Sequence, residues 1–284
     1  MAENPLVHVP AAWPALLRAN ALRRQLSGKL RSFDLVRWPD VPYGDDVSQR
    51  LQLWELNDLA PRDGWPAVLL LHGGGWQAGS AQDFEGLAPA LSRKGLTVAA
   101  LDYRLAPAHR WPAQLDDVLA AIDFIKGLQI DPERIALWGH SAGGQLALLA
   151  AQARPDDVRC VVALGAPTDL RALSAEGALG LDLVFDPGQL DPASPIRAEA
   201  AGAPTLLVHG ALDRVVPITS ARAYAARHPE EVELIEVPDG DHGLRWPPWR
   251  AMRARARAVD WMIAQLSPER RKSKWKIRRK HKKP

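Results

Sequence analysis

Residues 138–144 read WGHSAGG, with Ser141 set between Gly139 and Gly143 directly after the apolar run RIALWG. Glycine is poor in both strand and helix interiors, so the pattern needs another cause. A sharp strand-to-helix turn supplies one: it lifts the Ser141 hydroxyl clear of a sheet, and the two glycines leave room where side chains would clash. A helix beginning there points its N–H groups and positive dipole end at the same spot. A hydroxyl is a weak nucleophile at its own pKa, so the chemistry also needs a histidine base and an acid that fixes the histidine's tautomer. His242, in VPDGDHGL, lies in a glycine-bearing loop after the last strand-like run, and Asp213, in TLLVHGALDRVVP, lies just past a strand end. The chain order is Ser, Asp, His. Asp169, in GAPTDL, and Asp241, beside the histidine, are rivals for the acid; neighbouring loop side chains seldom face each other and Asp169 follows an earlier strand, which favours Asp213.

A second stretch, LLLHGGGWQAG (69–79), puts three glycines after an apolar run. It reads as a flexible turn, a phosphate cradle or a set of donors for an oxyanion. The Lys-Ser/Thr ending of a P-loop is missing. The third reading fits best: backbone N–H groups of Gly74 and Gly75, joined by that of Ala142, converge on an oxyanion at a distance only glycine permits. His140, which flanks the nucleophile, and Trp76 are expected beside the substrate, with packing as the alternative for both. Trp111 and Trp246 could line the same pocket, but core packing fits them better, and His209 reads as a structural residue at a strand end. No H-E-x-x-H or comparable ligand spacing occurs, and the single cysteine, Cys160, lies in the apolar run CVVALG, so neither a metal site nor a disulfide is expected.

The elements that must position these residues follow from hydrophobic period. Short runs rich in Val, Ile and Leu at 51–56, 67–72, 96–103, 134–139, 160–165, 205–210 and 232–237 alternate with segments of helical period. Most runs are apolar on both faces, as strands of a mostly parallel sheet between two helix layers must be. Helices are expected over 83–95, ending at Lys94 and Gly95, then over 112–128, 141–153, 218–228 and 257–266. The segment 170–203 is long for a connection and carries Gly, Pro and scattered apolar residues, which reads as a lid or a surface excursion. The segment around Trp13–Leu30 is expected to be helical and able to cap the site. No internal repeat occurs.

With 284 residues and 47% hydrophobic composition, the chain can bury one large α/β core. Its net charge of +3 is unevenly spread. Arg270–Pro284 holds ten Lys/Arg and no acid, leaving residues 1–269 with 26 Lys/Arg against 33 Asp/Glu, a net of −7. The tail RRKSKWKIRRKHKKP is too charged to pack and is expected to be disordered, either as a solvated end or as a contact for nucleic acid or another anionic surface. No apolar stretch is long enough to span a membrane and the N-terminal region has no signal-peptide core, so the expected compartment is the cytoplasm.

Five ordered motifs, HGGGW (72–76), DYRLAP (102–107), DPERIALWGHSAGGQLA (131–147), HGALDRVVP (209–217) and GDHG (240–243), together resemble the α/β-hydrolase superfamily. The likeness is to esterases of the hormone-sensitive-lipase group and the acetyl/feruloyl-esterase-like branch, and it runs over about residues 35–266. It implies an α/β-hydrolase fold with a small cap or lid, and hydrolysis of small-molecule esters without cofactor or metal. It also implies Ser141 as nucleophile, Asp213 as acid, His242 as base and Gly74, Gly75 and Ala142 as oxyanion donors. His72 would brace the glycine loop, and Asp102 and Arg104 would be structural. His140 and Ala108 depart from the lipase-like group, which usually carries acidic residues there, so the resemblance implies short-acyl rather than long-chain substrates. An arylformamidase of the kynurenine formamidase type is the alternative, then a peptidase related to prolyl oligopeptidases, and from another class a binding protein on a hydrolase scaffold.

Overall fold

The computed structural model describes residues 35–56, 58, 60–175, 180–245 and 247–268; the expected N-terminal helix, Trp246 and the basic tail lie outside the described residues. Among the described residues there are eight strands: β1 (Leu35–Pro42), β2 (Arg50–Leu56), β3 (Trp65–Leu71), β4 (Thr97–Leu101), β5 (Ile130–His140), β6 (Cys160–Leu164), β7 (Thr205–Gly210) and β8 (Val232–Val237). They form one sheet in the order β1-β2-β4-β3-β5-β6-β7-β8. The β1–β2 and β2–β4 pairs are antiparallel, and every later pair is parallel. The helices are α1 (Ala88–Ser92), α2 (Ala113–Lys126), α3 (Ala142–Ala153), α4 (Leu170–Ala175), α5 (Ile218–Arg227) and α6 (Pro248–Leu266).

Both faces of the sheet are apolar, and strand alternation sorts them. Leu53, Leu69, Leu101, Leu137 and Val161 bury one face together with Ile122 and Ile125 of α2 and Leu146 of α3. Their sequence neighbours Val68, Leu70, Ala100, Trp138 and Val162 bury the other with Leu91 of α1 and Ala258 and Met262 of α6. The register places Leu69 beside Ala99 on one side and Leu137 on the other. Parallel strands share one direction, so the chain leaves β3, β5, β6, β7 and β8 at a single edge of the sheet. Open α/β sheets bind ligands at that edge.

Three elements differ from the sequence reading. Strand β1, LVRWPDVP, is hidden in the sequence because it is an edge strand carrying Arg37, Pro39 and Asp40, with a register shift between Trp38 and Val41. The segment expected to be one helix over 83–95 is a 3-10 turn at Ala81–Phe84 followed by the short α1, since Gly86 weakens helix and Pro89 is tolerated only in a first turn. Helix α6 begins nine residues earlier than its apolar period indicated, at Pro248. Within the excursion 170–203, the described residues Val184, Phe185 and Ala193 are buried in the core.

A buried polar knot fixes the approach to the glycine loop. Asp117 on α2 has no exposed surface and accepts from the Arg104 Nη2 at 2.7 Å, the Arg104 backbone N–H at 2.8 Å and Gln49 Nε2 at 2.6 Å. Asp102 receives the Ala81 N–H at 2.7 Å. Removing one partner of a buried ion pair strands the other charge. Arg104→Ala is therefore expected to lower unfolding free energy by about 3 kcal/mol, read as a lower urea midpoint.

Candidate active site

The Ser141 turn is the strained feature the sequence called for. Ser141 has φ 52° and ψ −120°, while the residue before it ends β5 and the residue after it opens α3. A non-glycine residue held at such angles costs about 1–3 kcal/mol and persists only where its surroundings enforce it. Here they do. Ser141 N–H donates to the Leu164 carbonyl of β6 at 2.8 Å, and Gln145 N–H donates to the Ser141 carbonyl at 3.1 Å. A Cβ at Gly139 would strike the Gly143 carbonyl, and one at Gly143 would strike the carbonyls of Leu71 and His72. The end of β3 thus lies directly against the first turn of α3.

The other two side chains arrive from neighbouring loops at the same edge. His242 Nε2 lies 3.0 Å from Ser141 Oγ, and His242 Nδ1 lies 2.7 Å from Asp213 Oδ2. The Asp213 side chain is buried, and its Oδ1 accepts the backbone N–H groups of Val215 and Val216, each at 2.9 Å. Burial opposes its charge, but hydrogen bonds from His209, His242 and the Val216 N–H outweigh burial and hold the carboxyl well below the usual carboxylate range. An ionised Asp213 accepts from His242 Nδ1–H, which leaves Nε2 lone-pair bearing and aimed at the hydroxyl. The rivals lie elsewhere: Asp169 pairs with Arg197 at 3.5 Å and accepts from the Arg171 N–H, while Asp241 accepts from the Arg245 N–H.

The glycine loop stands beside this chain. A Cβ on Gly73 would come within 3.3 Å of the Ser141 Cβ, so the glycine-loop backbone and Ser141 are in contact. Gly74 and Gly75 have φ of 108° and 60°. Among the described residues their N–H groups, and that of Ala142 at the first position of α3, donate to no protein acceptor. His72 braces the loop as expected: its Nδ1–H donates to the Gly73 carbonyl at 2.7 Å, its ring stacks on Tyr103 at 4.1 Å, and the Tyr103 hydroxyl donates to the His72 carbonyl at 2.9 Å. Burial pushes the His72 pKa down, so the ring stays neutral.

Two residues expected beside the substrate have other neighbours. Trp76 is fully buried, donating Nε1–H to Gln145 Oε1 at 3.1 Å and meeting Phe185 edge-on at 5.1 Å; it packs rather than lines a pocket. His140 donates Nε2–H to the backbone carbonyl of His242 at 3.0 Å, and the two rings lie 5.2 Å apart. Burial lowers the His140 pKa, with the nearby His242 adding to the effect, so it serves as a neutral strut under the histidine loop.

Gln145 carries no expectation from the sequence, and His209 only that of a structural residue at a strand end. Gln145 ties three segments together, since its Nε2 also donates to the Ala193 carbonyl of the 170–203 excursion at 2.7 Å. Its signal was present: a single amide among GGQLALLAA, where every neighbour is apolar. His209 donates Nε2–H to the Val216 carbonyl at 2.8 Å and also stands 3.3 Å from Asp213 Oδ2. Nothing in an apolar strand end distinguishes that histidine from one merely packed.

This sheet order, strained serine turn and Ser–Asp–His order define an α/β-hydrolase. More narrowly, the chain belongs to the BD-FAE family, whose model matches residues 58–227, more than half of the chain. That match includes Ser141 and Asp213 and stops before His242. The esterase LipC of Mycobacterium tuberculosis is 30% identical over 267 residues, covering 82% of this chain and 65% of LipC. The chain thus spans less than two thirds of that relative's length. Among solved structures, a truncated carbohydrate esterase from gut microbiota aligns at a TM-score of 0.71 over 83% of this chain and 97% of that one, at 21% identity, a likeness of fold. A bacterial heroin esterase aligns at 0.67 over 91% and 94%, at 25% identity.

The depressed Asp213 pKa has a consequence for stability. A carboxyl whose folded pKa lies below its unfolded value near ~3.9 contributes stability that is present above that value and lost as pH falls through the folded pKa. Asp213→Asn is expected to destabilise the protein at neutral pH, and the gap to wild type is expected to narrow below about pH 4. Urea midpoints of both proteins across that range check this.

Proposed function

We propose that the protein is a serine carboxylesterase that hydrolyses small, short-acyl esters of the acetyl type. The carrying observation is the bonded chain Asp213–His242–Ser141, at 2.7 and 3.0 Å, beside a glycine loop with free N–H groups. Membership of the BD-FAE family and likeness to proteins named as esterases support it.

Ser141 Oγ attacks the ester carbonyl carbon as its proton passes to His242 Nε2. The carbonyl electron pair becomes an oxyanion held by the N–H groups of Gly74, Gly75 and Ala142, each such donor lowering the barrier by about 3 kcal/mol. Collapse breaks the bond to the alcohol oxygen, which takes the proton from His242. Water then repeats the sequence on the acyl-enzyme, losing its proton to His242, and Ser141 regains a proton as the acid leaves. Asp213 stays ionised throughout and stabilises the imidazolium. In support of a short acyl group, the space next to the glycine loop is filled by Trp76, Phe185 and Trp111, whose rings contact in series at 5.1 and 5.5 Å. The catalytic unit is taken as residues 35–266, with 170–203 as a packed cover.

A p-nitrophenyl series from acetate to decanoate is expected to show kcat/KM falling with chain length, and Ser141→Ala is expected to lose about 10⁴-fold or more together with fluorophosphonate labelling. Equal turnover by wild type and Ser141→Ala would remove the assignment, and faster turnover of an aryl formamide than of any ester would shift it to a formamidase. Gln145→Leu, which leaves the Trp76 indole N–H unpaired, is expected to reduce kcat about tenfold or more with KM little changed, because the donors it steadies act on the transition state.

A further inference from the structure

The last helix is amphipathic in an unusual direction. Its inward face is small: Ala251, Ala254 and Ala258 are buried against the sheet, with Met262 beyond them. Its outward face carries large apolar groups that no described residue covers. Trp249 is 59% exposed and Met252 is 71% exposed, one turn apart. Around them stand the exposed Arg253, Arg255 and Arg257, and the Arg250 guanidinium lies 4.8 Å from the centre of the Trp249 ring. Arg250 pairs with Asp239 at 2.9 Å, whereas no acidic partner is present for Arg253 or Arg257 among the described residues. Asp260 is the sole acid within α6.

Charge is segregated along the chain to the same end. From Arg245 onward there are 15 Lys/Arg against Asp260 and Glu269, a net of +13, while residues 1–244 hold 21 Lys/Arg against 31 Asp/Glu, a net of −10. An anionic surface therefore attracts the C-terminal part of the chain, α6 included, and repels the acidic remainder.

We propose that the outward face of α6 docks on the surface of an anionic lipid bilayer, with Trp249 and Met252 entering the headgroup–acyl boundary and the arginines meeting the lipid charges. The pairing of bulky apolar side chains with flanking arginines on one helix face is what an interfacial helix requires. A nucleic-acid backbone would satisfy the arginines but gives Met252 no apolar phase to enter. The basic run after residue 269, which also carries Trp275 and Ile277, adds attraction of the same sign. The docked face adjoins the candidate site: Arg255 Nη2 donates to the carbonyl of Gly243, next to His242, at 2.9 Å. Docking would hold the histidine loop close to the lipid surface, where esters partition.

The test is flotation of the full-length chain with vesicles at about 0.1 M salt, comparing pure phosphatidylcholine with a mixture containing roughly one third phosphatidylglycerol. Wild type is expected to float with the anionic vesicles and stay behind with the neutral ones. Trp249→Ala/Met252→Ala is expected to weaken anionic binding about tenfold, and Arg253→Gln/Arg257→Gln about 25-fold, at roughly fivefold per arginine. Unchanged urea midpoints in both variants establish that they fold. Equal binding to the two vesicle types, or undiminished binding by either variant, would overturn the proposal. So would a short DNA duplex that displaces the protein from vesicles and is held equally by wild type and Trp249→Ala/Met252→Ala, an outcome that assigns the face to nucleic acid.

Discussion

The contact between the end of β3 and the first turn of α3 controls the rest of the molecule. Gly143 sits so close to the carbonyls of Leu71 and His72 that no Cβ fits between them, and Gly139 sits as close to Gly143. That approach leaves Ser141 no room for an ordinary backbone and holds it at positive φ. The same approach brings Gly73 to the Ser141 Cβ, so the serine turn and the glycine loop share one constraint rather than two. The local strain is opposed by an α3 whose Ala142–Ala151 are all buried. A helix so embedded cannot swing to relieve one bad dihedral, which is why the strain persists.

Polar groups at the sheet edge complete the arrangement because burial leaves them few alternatives. An unpaired buried donor or acceptor costs more than an average hydrogen bond contributes, so each geometry reinforces the next. Asp213 is held by two backbone N–H groups before His242 reaches it. His242 is held at both ends, by Asp213 through its ring and by His140 through its backbone carbonyl. Trp76, next to the glycine loop, is bound through Gln145 to Ala193, so that loop is tied to the 180–193 part of the excursion. Arg110 adds a further tie, donating to the carbonyls of Asp182 and Leu183 at 2.8 and 3.0 Å.

What the sequence disclosed depended on how local the cause was. The serine turn is written into five adjacent residues, and the parallel strands into apolar runs, so both are legible without coordinates. The choice among Asp213, Asp169 and Asp241 was legible only as a preference, since it turns on which loop reaches which histidine across the sheet edge. Trp76 shows the limit of reading by type: an aromatic next to a glycine loop looks ligand-facing, but its buried indole finds Gln145 four residues past Ser141, a pairing across 69 residues of chain. Strand β1 escaped because edge strands carry proline and charge by necessity, the features that argue against strand elsewhere.

Helix α6 shows why periodicity alone placed its start too late. Apolar period finds helices whose buried face is large, and the first half of α6 buries only alanine. Small residues let the helix axis lie close to the sheet, so Ala251, Ala254 and Ala258 are sufficient packing without giving a strong apolar signal. The large groups of this half, Trp249, Met252 and four arginines, point outward. In a helix whose outer face had no role, that distribution would be reversed: the desolvation gain of tryptophan and methionine would be spent in the core, and arginines would alternate with acids. The inversion is confined to the one element that carries the positive end of a segregated charge and abuts the histidine loop, and this coincidence of place gives the exposed face its meaning.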